Sequence, residues 1–172
     1  MKYPRLLSSG NNNRVIALSN TEVAKLFVDD TRSDIGSEAE KMKFANTING
    51  LVCRFNRLDY IEELRAEALV MERIYGADFR AYEVEKRELW LDVFEDELKQ
   101  LHAAGFVHRD LKRPSNISGD AFDNILLTVE GLRLIDVGIS ALRSQVGDKL
   151  FEKYVEVELG ELVLFREYFL NR

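Results

Sequence analysis

Two carboxylates in the second half of the chain have the setting of reactive groups. Asp110 follows a predicted helix and the apolar pair Phe106-Val107, and Asp136 ends a predicted strand two residues before Gly138. Carboxylates on loops that rest on apolar elements can be held in a fixed geometry, as electrostatic catalysis requires. Two such groups suit phosphoryl transfer from a metal-bound triphosphate, in which one binds metal and the other orients the acceptor hydroxyl.

The hydrophobic pattern predicts an α+β fold around these carboxylates. The first part, residues 1–74, predicts a loop at 8–13, one helix from about 37 to 48, and strands at 14–18, 22–28, 51–55 and 68–74. The second part, residues 75–172, is mainly helical. Helical spacing of apolar residues predicts a helix that Gly105 ends, and Glu130-Gly131 predicts a hairpin. A last helix, about 148–170, carries an apolar stripe of Phe151, Val155, Leu162, Phe165 and Phe169.

The motifs around both carboxylates resemble those of the protein kinase superfamily. The run His108-Arg109-Asp110-Leu111-Lys112 is similar to the catalytic loop. The run 124–138 is similar to the hairpin that leads into the metal-binding loop, with Val137 where a Phe is usual. The resemblance implies that Asp110 is the catalytic base or hydroxyl-orienting group and that Asp136 chelates magnesium. It implies that Lys112 steadies the transferred phosphoryl group.

The second metal ligand has two candidates. In the family this asparagine comes five residues after the catalytic aspartate, a position that Ser115 occupies here, while Asn116 and Asn124 follow at six and fourteen. We favour Asn124, because it precedes an apolar strand and lies twelve residues before Asp136. The segment 113–123 is then an insertion in the catalytic loop.

The first part of the chain carries weaker counterparts of the same family. Val23-Ala24-Lys25 resembles the strand with the phosphate-binding lysine, which implies a catalytic and nucleotide-binding role for Lys25. Its partner from the following helix is Glu38 or Glu40, and we favour Glu38. A capping box formed by Ser37 and Glu40 would place Glu38 in the first helical turn, which is earlier than usual for the lysine's partner, so Glu40 stays an alternative.

The adenine pocket is implied by a hinge-like segment. Met71 resembles the residue at the back of that pocket, and the backbones of Glu72 and Ile74 are expected to bond the adenine edge. Gly10 is the one glycine in a segment where the family has two or three. We expect the amides around Gly10 to face the phosphates.

The resemblance as a whole implies a small, bilobal protein kinase-like fold. It pairs an antiparallel-sheet lobe and one helix (1–74) with a truncated, mainly helical lobe (75–172) in one domain. The implied activity is that of an ATP- and Mg-dependent kinase, and Lys112 favours a Ser/Thr protein kinase with a protein substrate. The alternatives are a small-molecule or lipid-sugar kinase and a nucleotide-binding pseudokinase that acts through partners. Reduced kinases of this kind are typical of bacteria and phages, including secreted effectors.

Composition narrows the class of protein. The chain has 24 basic and 30 acidic residues among 172, a net charge of −6, which disfavours nucleic acid as the main partner. The single cysteine, Cys53, lies in an apolar run and predicts a buried thiol. No apolar run is long enough to span a membrane and no secretory signal is visible, so we expect a cytoplasmic protein. The sequence does not give the oligomeric state.

Overall fold

The computed structural model describes residues 3–9, 13–27 and 35–171. Gly10, the predicted phosphate-loop glycine, lies outside the described residues. The class is mixed α+β, as the sequence predicts: an antiparallel five-stranded sheet comes first and is followed mainly by helices.

The sheet has the strand order β1-β2-β3-β5-β4. Its strands are β1 (Arg5–Ser9), β2 (Asn13–Ala17), β3 (Glu22–Phe27), β4 (Phe55–Ile61) and β5 (Ala66–Glu72). Two expectations are wrong here. Ser8 and Ser9, expected in a loop, belong to β1. The strand expected at 51–55 lies at Phe55–Ile61, an edge strand whose polar, exposed residues gave no apolar signal.

Helix α1 (Ile35–Asn46) packs on one face of the sheet. Its residues Ala39, Met42 and Ala45 are buried in the main core together with Leu69 of β5. Ser37 lies inside the helix and does not precede it, so it does not occupy the cap position that the capping box requires. Glu38 is nevertheless in the first turn, and its side chain is buried.

The second part begins with α2 (Val84–Ala104), which ends where the sequence predicts. Gly105 adopts a φ of 104°, and its N–H bonds the carbonyls of Leu101 and His102. Left-handed backbone at this position favours glycine. The chain then enters the short strand β6 (Phe106–Val107), which directs the following loop toward the sheet.

A hairpin and a long helix complete this part. The hairpin strands β7 (Ile125–Thr128) and β8 (Gly131–Leu134) enclose the predicted turn, and β9 (Ala141–Leu142) pairs with β6. After a single helical turn, α3 (Arg143–Val146), helix α4 runs over Asp148–Asn171. The predicted stripe on α4 faces the core: Val155 is half-buried, and the fully buried members are Phe151, Leu162, Phe165 and Phe169.

The two parts share one core and are joined by backbone hydrogen bonds. Leu134 of β8 donates to the carbonyl of Leu51 and accepts from the N–H of Cys53, both at 2.8 Å. These bonds fix the segment between α1 and β4 against the β7–β8 hairpin, whose last residue lies two positions before Asp136. Among the helices that the structure describes, none combines the length and the apolar character needed to cross a bilayer.

Candidate functional site

Lys25 lies at the centre of the candidate site. It occupies the middle of β3, between Val15 of β2 and Leu69 of β5, and its side chain is 4% exposed. Its Nζ atom lies 2.8 Å from Glu38 Oε1 and 2.9 Å from Asp136 Oδ1. One ammonium group therefore joins β3, α1 and the loop after β8. Glu40, the other candidate partner, is exposed.

Burial and charge compete within this triad. Burial would lower the pKa of Lys25, but the carboxylates of Asp136 and Glu38 outweigh it and raise that pKa. Burial also raises the pKa of Glu38, against the opposing effect of Lys25. Glu38 Oε2 is buried with no hydrogen-bond partner among the described residues. One ammonium facing two carboxylates leaves an excess of negative charge, which suits a cation.

Asp136 is the open member of the triad. Its side chain is 46% exposed, and its backbone has a φ of 56°. A non-glycine residue in this region is uncommon and is found at functional sites. The N–H of Gly138 donates to Asp136 Oδ1 at 3.3 Å. Burial would raise the pKa of Asp136, but Lys25 outweighs it and holds that pKa below its ordinary value.

Asp110 and Asn124 form a second pair in the same cleft. Asn124 Nδ2 donates to the backbone carbonyl of Asp110 at 2.9 Å and to Asp110 Oδ2 at 3.0 Å. The amide nitrogen is thus engaged, which leaves the Oδ1 oxygen of Asn124 for a ligand. Asn116, the other candidate, is exposed and does not line the cleft. Burial raises the pKa of Asp110, and the Asp136 carboxylate adds to this effect.

His108 connects the two carboxylate loops. Its Nε2 lies 2.9 Å from the carbonyl of Ile135, and its Nδ1 accepts the backbone N–H of Asp110 at 3.3 Å. Both bonds are made at once when the proton is on Nε2. His108 is fully buried, and its two bonds join the backbone at Ile135 to the backbone at Asp110.

Glu158 of α4 is a site residue that the sequence reasoning missed. Its carboxylate is completely buried and accepts the N–H of His108 at 3.3 Å and that of Arg109 at 2.5 Å. His102 of α2 bonds it at 2.8 Å. The sequence contained a signal, because Glu158 lies on the apolar stripe of α4 between Phe151 and Leu162. A carboxylate on a buried face requires partners.

Lys25, Asp110, Asn124 and Asp136 line one cleft with a volume of about 750 Å³. Its apolar walls include Val15, Val23, Met71, Ile74, Leu126 and Ile135, and its polar floor consists of Lys25, Asp110, Asn124 and Asp136. In the described part of the chain, no hydrogen bond occupies the backbone N–H of Ile74. That N–H is available to a ligand in the cleft.

Two predicted residues take less part than expected. Lys112 follows Asp110 in the loop, but it is not among the residues that line the cleft. Glu72 lines the cleft, but its carboxylate pairs with Arg133 and accepts the N–H of Arg54 at 2.8 Å. The backbone of Glu72, which was expected to bond the adenine edge, also has partners: its N–H donates to the carbonyl of Arg54 at 2.9 Å, and its carbonyl accepts from the thiol of Cys53 at 3.5 Å.

The oxygen groups in the cleft fit a magnesium ion in part. The Asp136 carboxylate and Asn124 Oδ1 are hard oxygen ligands of the kind that Mg²⁺ prefers. Within the described residues, His, Cys, Asp and Glu form no group of three or more that could hold a metal alone. Mg²⁺ commonly completes its shell with phosphate oxygens and water, so two protein ligands suffice for a nucleotide-bound ion.

Comparison with known proteins gives no family to which the chain can be assigned. No protein-family model matches the sequence, and no curated protein matches it at a significant level.

Proposed function

We propose that this protein is an ATP- and magnesium-dependent phosphotransferase with a small, bilobal protein kinase-like fold. The observation that carries the proposal is the contact of Lys25 with both Glu38 and Asp136, within 2.9 Å, in a cleft that also holds Asp110 and Asn124. These residue types and this chain order match the kinase motif set. In this fold, residues 1–74 are the first lobe and residues 75–172 the second.

Each residue has a distinct task in the proposed reaction. Lys25 neutralises phosphate oxygens, and Glu38 holds its side chain in place. Asp136 and Asn124 hold magnesium, which offsets phosphate charge when bound. Asp110 orients the acceptor hydroxyl and accepts its proton. The new oxygen–phosphorus bond forms as the bond between the β- and γ-phosphates breaks, and ADP is the leaving group.

The nucleotide is proposed to lie with its base against the hinge. Met71, Ile74 and Leu126 provide apolar surface, and the N–H of Ile74, which has no hydrogen-bond partner among the described residues, is a donor for a ring nitrogen of adenine. Burial of the flat base supplies affinity, and the hydrogen bond supplies orientation. The phosphates then reach the end of the cleft where Lys25 and Asp136 meet.

A protein Ser/Thr hydroxyl is the first candidate for the acceptor, because Lys112 lies where the resemblance favours a Ser/Thr protein kinase. A small-molecule hydroxyl is the second, because Lys112 does not line the cleft. Incubation with labelled ATP and magnesium separates these acceptors by where the label appears. Label on protein supports the first, and label only on added small alcohols supports the second.

The experiment that tests the activity compares the wild type with Asp110→Ala and Asp136→Ala. We expect label transfer in the wild type and its loss in both variants. ATP binding without turnover on any acceptor would instead indicate a nucleotide-binding pseudokinase. Transfer that survives both substitutions would contradict the assignment of the two carboxylates.

A further inference from the structure

The segment between Asp110 and Asn124 folds into a loop that the assigned motifs leave without a role. Its ends are closed by a hydrogen bond from the N–H of Arg113 to the carbonyl of Ala121, at 2.7 Å. Inside it, the N–H of Ile117 donates to the carbonyl of Pro114 at 3.0 Å. We call residues 113–123 the insertion loop.

Arg113 fastens the insertion loop from within. Its Nη1 donates to the carbonyl of Ser118 at 2.7 Å, and its Nη2 pairs with the carboxylate of Asp123. Gly119 has a φ of 125°, and a Cβ there would lie 2.9 Å from Arg113 Nη1. The guanidinium group therefore fills the space that a side chain at Gly119 would need.

A second contact fixes the loop to the body of the protein. The hydroxyl of Tyr168 on α4 donates to the carboxylate of Asp120, whose oxygens lie at 3.0 and 3.1 Å. The insertion loop is thus held from its own interior and from α4. A loop fixed in this way presents its outer side chains without a large ordering cost on ligand binding.

The fixed loop turns apolar surface toward the cleft. Pro114 and Ile117 line the same cavity as Lys25 and Asp136, and so do Arg113 and Asp123. Ile117 is 51% exposed, although its side chain is apolar. Exposed apolar surface in a cavity that also has polar anchoring groups is typical of a binding site.

We propose that the insertion loop forms a wall of the nucleotide site and that Ile117 packs against the nucleoside part of the bound nucleotide. This inference rests on the proposed function. The loop starts three residues after Asp110 and ends next to Asn124, while the hinge residues Met71 and Ile74 line the cavity as well. The sugar of a nucleotide that spans from the hinge to these two residues passes the loop.

The test measures the affinity of Ile117→Ala for adenosine, ADP and ATP by calorimetry with magnesium. Removing part of a buried Ile contact is expected to weaken all three by about 5- to 10-fold, because the lost contact is to the nucleoside they share. Ile48→Ala is the matched control. Ile48 is 37% exposed and does not line the cleft, so its affinities should equal those of the wild type.

A second variant, Gly119→Ala, changes the loop at the Arg113 contacts and leaves Ile117 itself in place. Its Cβ displaces the Arg113 guanidinium group and disturbs the fixed loop, so we expect a loss for all three ligands similar to that of Ile117→Ala. Circular dichroism and thermal unfolding verify that each variant is folded.

The outcomes separate this inference from the proposed function. If the wild type binds none of the three ligands, the proposed function is wrong, and so is the proposed role of the insertion loop in nucleotide binding. If the wild type binds the ligands and Ile117→Ala binds them equally well, the proposed function stands and only the proposed contact of Ile117 with the nucleoside is wrong. An effect confined to ATP, or confined to the KM of the acceptor, also overturns it, because the loop would then contact phosphates or acceptor.

Discussion

At the scale of single residues, the two carboxylates in the cleft have opposite pKa shifts. Burial raises the pKa of Asp110, whereas the ammonium group of Lys25 outweighs burial and lowers the pKa of Asp136. Asp136 therefore stays charged over a wide range of pH, which suits a metal ligand. Asp110 has the more basic carboxylate, which suits a group that accepts a proton.

The acid limb of the pH profile tests this division. In the proposed reaction Asp110 acts only as a carboxylate, so kcat/KM for phosphoryl transfer should fall as the pH drops through its raised pKa, above the usual value of 3.8. Magnesium-dependent nucleotide binding, which is proposed to depend on the Asp136 carboxylate, should persist to a lower pH than phosphoryl transfer, because the pKa of Asp136 is lowered. A limb at or below the usual value, or the same limb in the residual activity of Asp110→Asn, would count against Asp110.

Cys53 gives a second residue-scale prediction. Its side chain is 2% exposed, and burial raises its pKa to about 12. Because the thiolate is the reactive form, native protein should not react with Ellman's reagent at pH 8, whereas protein unfolded in urea should release one equivalent. Cys53 lines the cleft, so rapid reaction of the native protein would show that the cleft opens and exposes the thiol.

At the scale of elements, α4 takes part in the site through a residue far from it in sequence. Glu158 fixes the amides of His108 and Arg109, and Arg109 has a φ of 70°, which is costly for a non-glycine residue. The guanidinium group of Arg109 also lies over the ring of Tyr154, 3.8 Å from its centroid. The shape of the loop at residues 108–110 therefore depends on α4.

Replacing Glu158 by Gln tests this dependence. One acceptor oxygen becomes an amide that faces donor groups, so urea unfolding should show a loss of about 1–3 kcal/mol. Displacement of Asp110 should lower kcat by roughly 10- to 100-fold. Glu156→Gln, an exposed change on the same helix, is the control and should leave both unchanged. An unchanged kcat in Glu158→Gln would contradict the inference that Glu158 positions the loop with Asp110.

The sequence predicted elements with strong local signals and missed those that depend on tertiary contacts. Gly105 and the apolar stripe of α4 were placed correctly, because capping and 3.6-residue periodicity are local. Strand β4 was misplaced, because an edge strand is half polar. Glu158 was missed, because its bonds to the amides of His108 and Arg109 form only when α4 packs against the loop at residues 108–110.

The candidate site was predicted in part for the same reason. Motif order suggested Lys25, Asp110 and Asp136, and the structure brings all three to one cleft. Sequence spacing alone could not decide between Glu38 and Glu40. That choice depends on which helix face meets β3, and Lys25 meets Glu38.

At the scale of the whole molecule, the cleft depends on how the sheet and the helical part are joined. Leu134 bonds the backbone on both sides of Val52, and Arg133 pairs with Glu72 at the start of the connection between the parts. These contacts are made by the last two residues of β8, which lead into the loop with Asp136. They hold Lys25 and Asp136 at 2.9 Å although 111 residues separate them in sequence.

The most direct measurement is the dissociation constant of ATP with and without magnesium, for the wild type, Asp136→Ala and Asp110→Ala. We expect magnesium to tighten ATP binding in the wild type and in Asp110→Ala, and we expect this gain to be lost in Asp136→Ala. Absence of ATP binding by the wild type, or an equal magnesium effect in all three proteins, would contradict it.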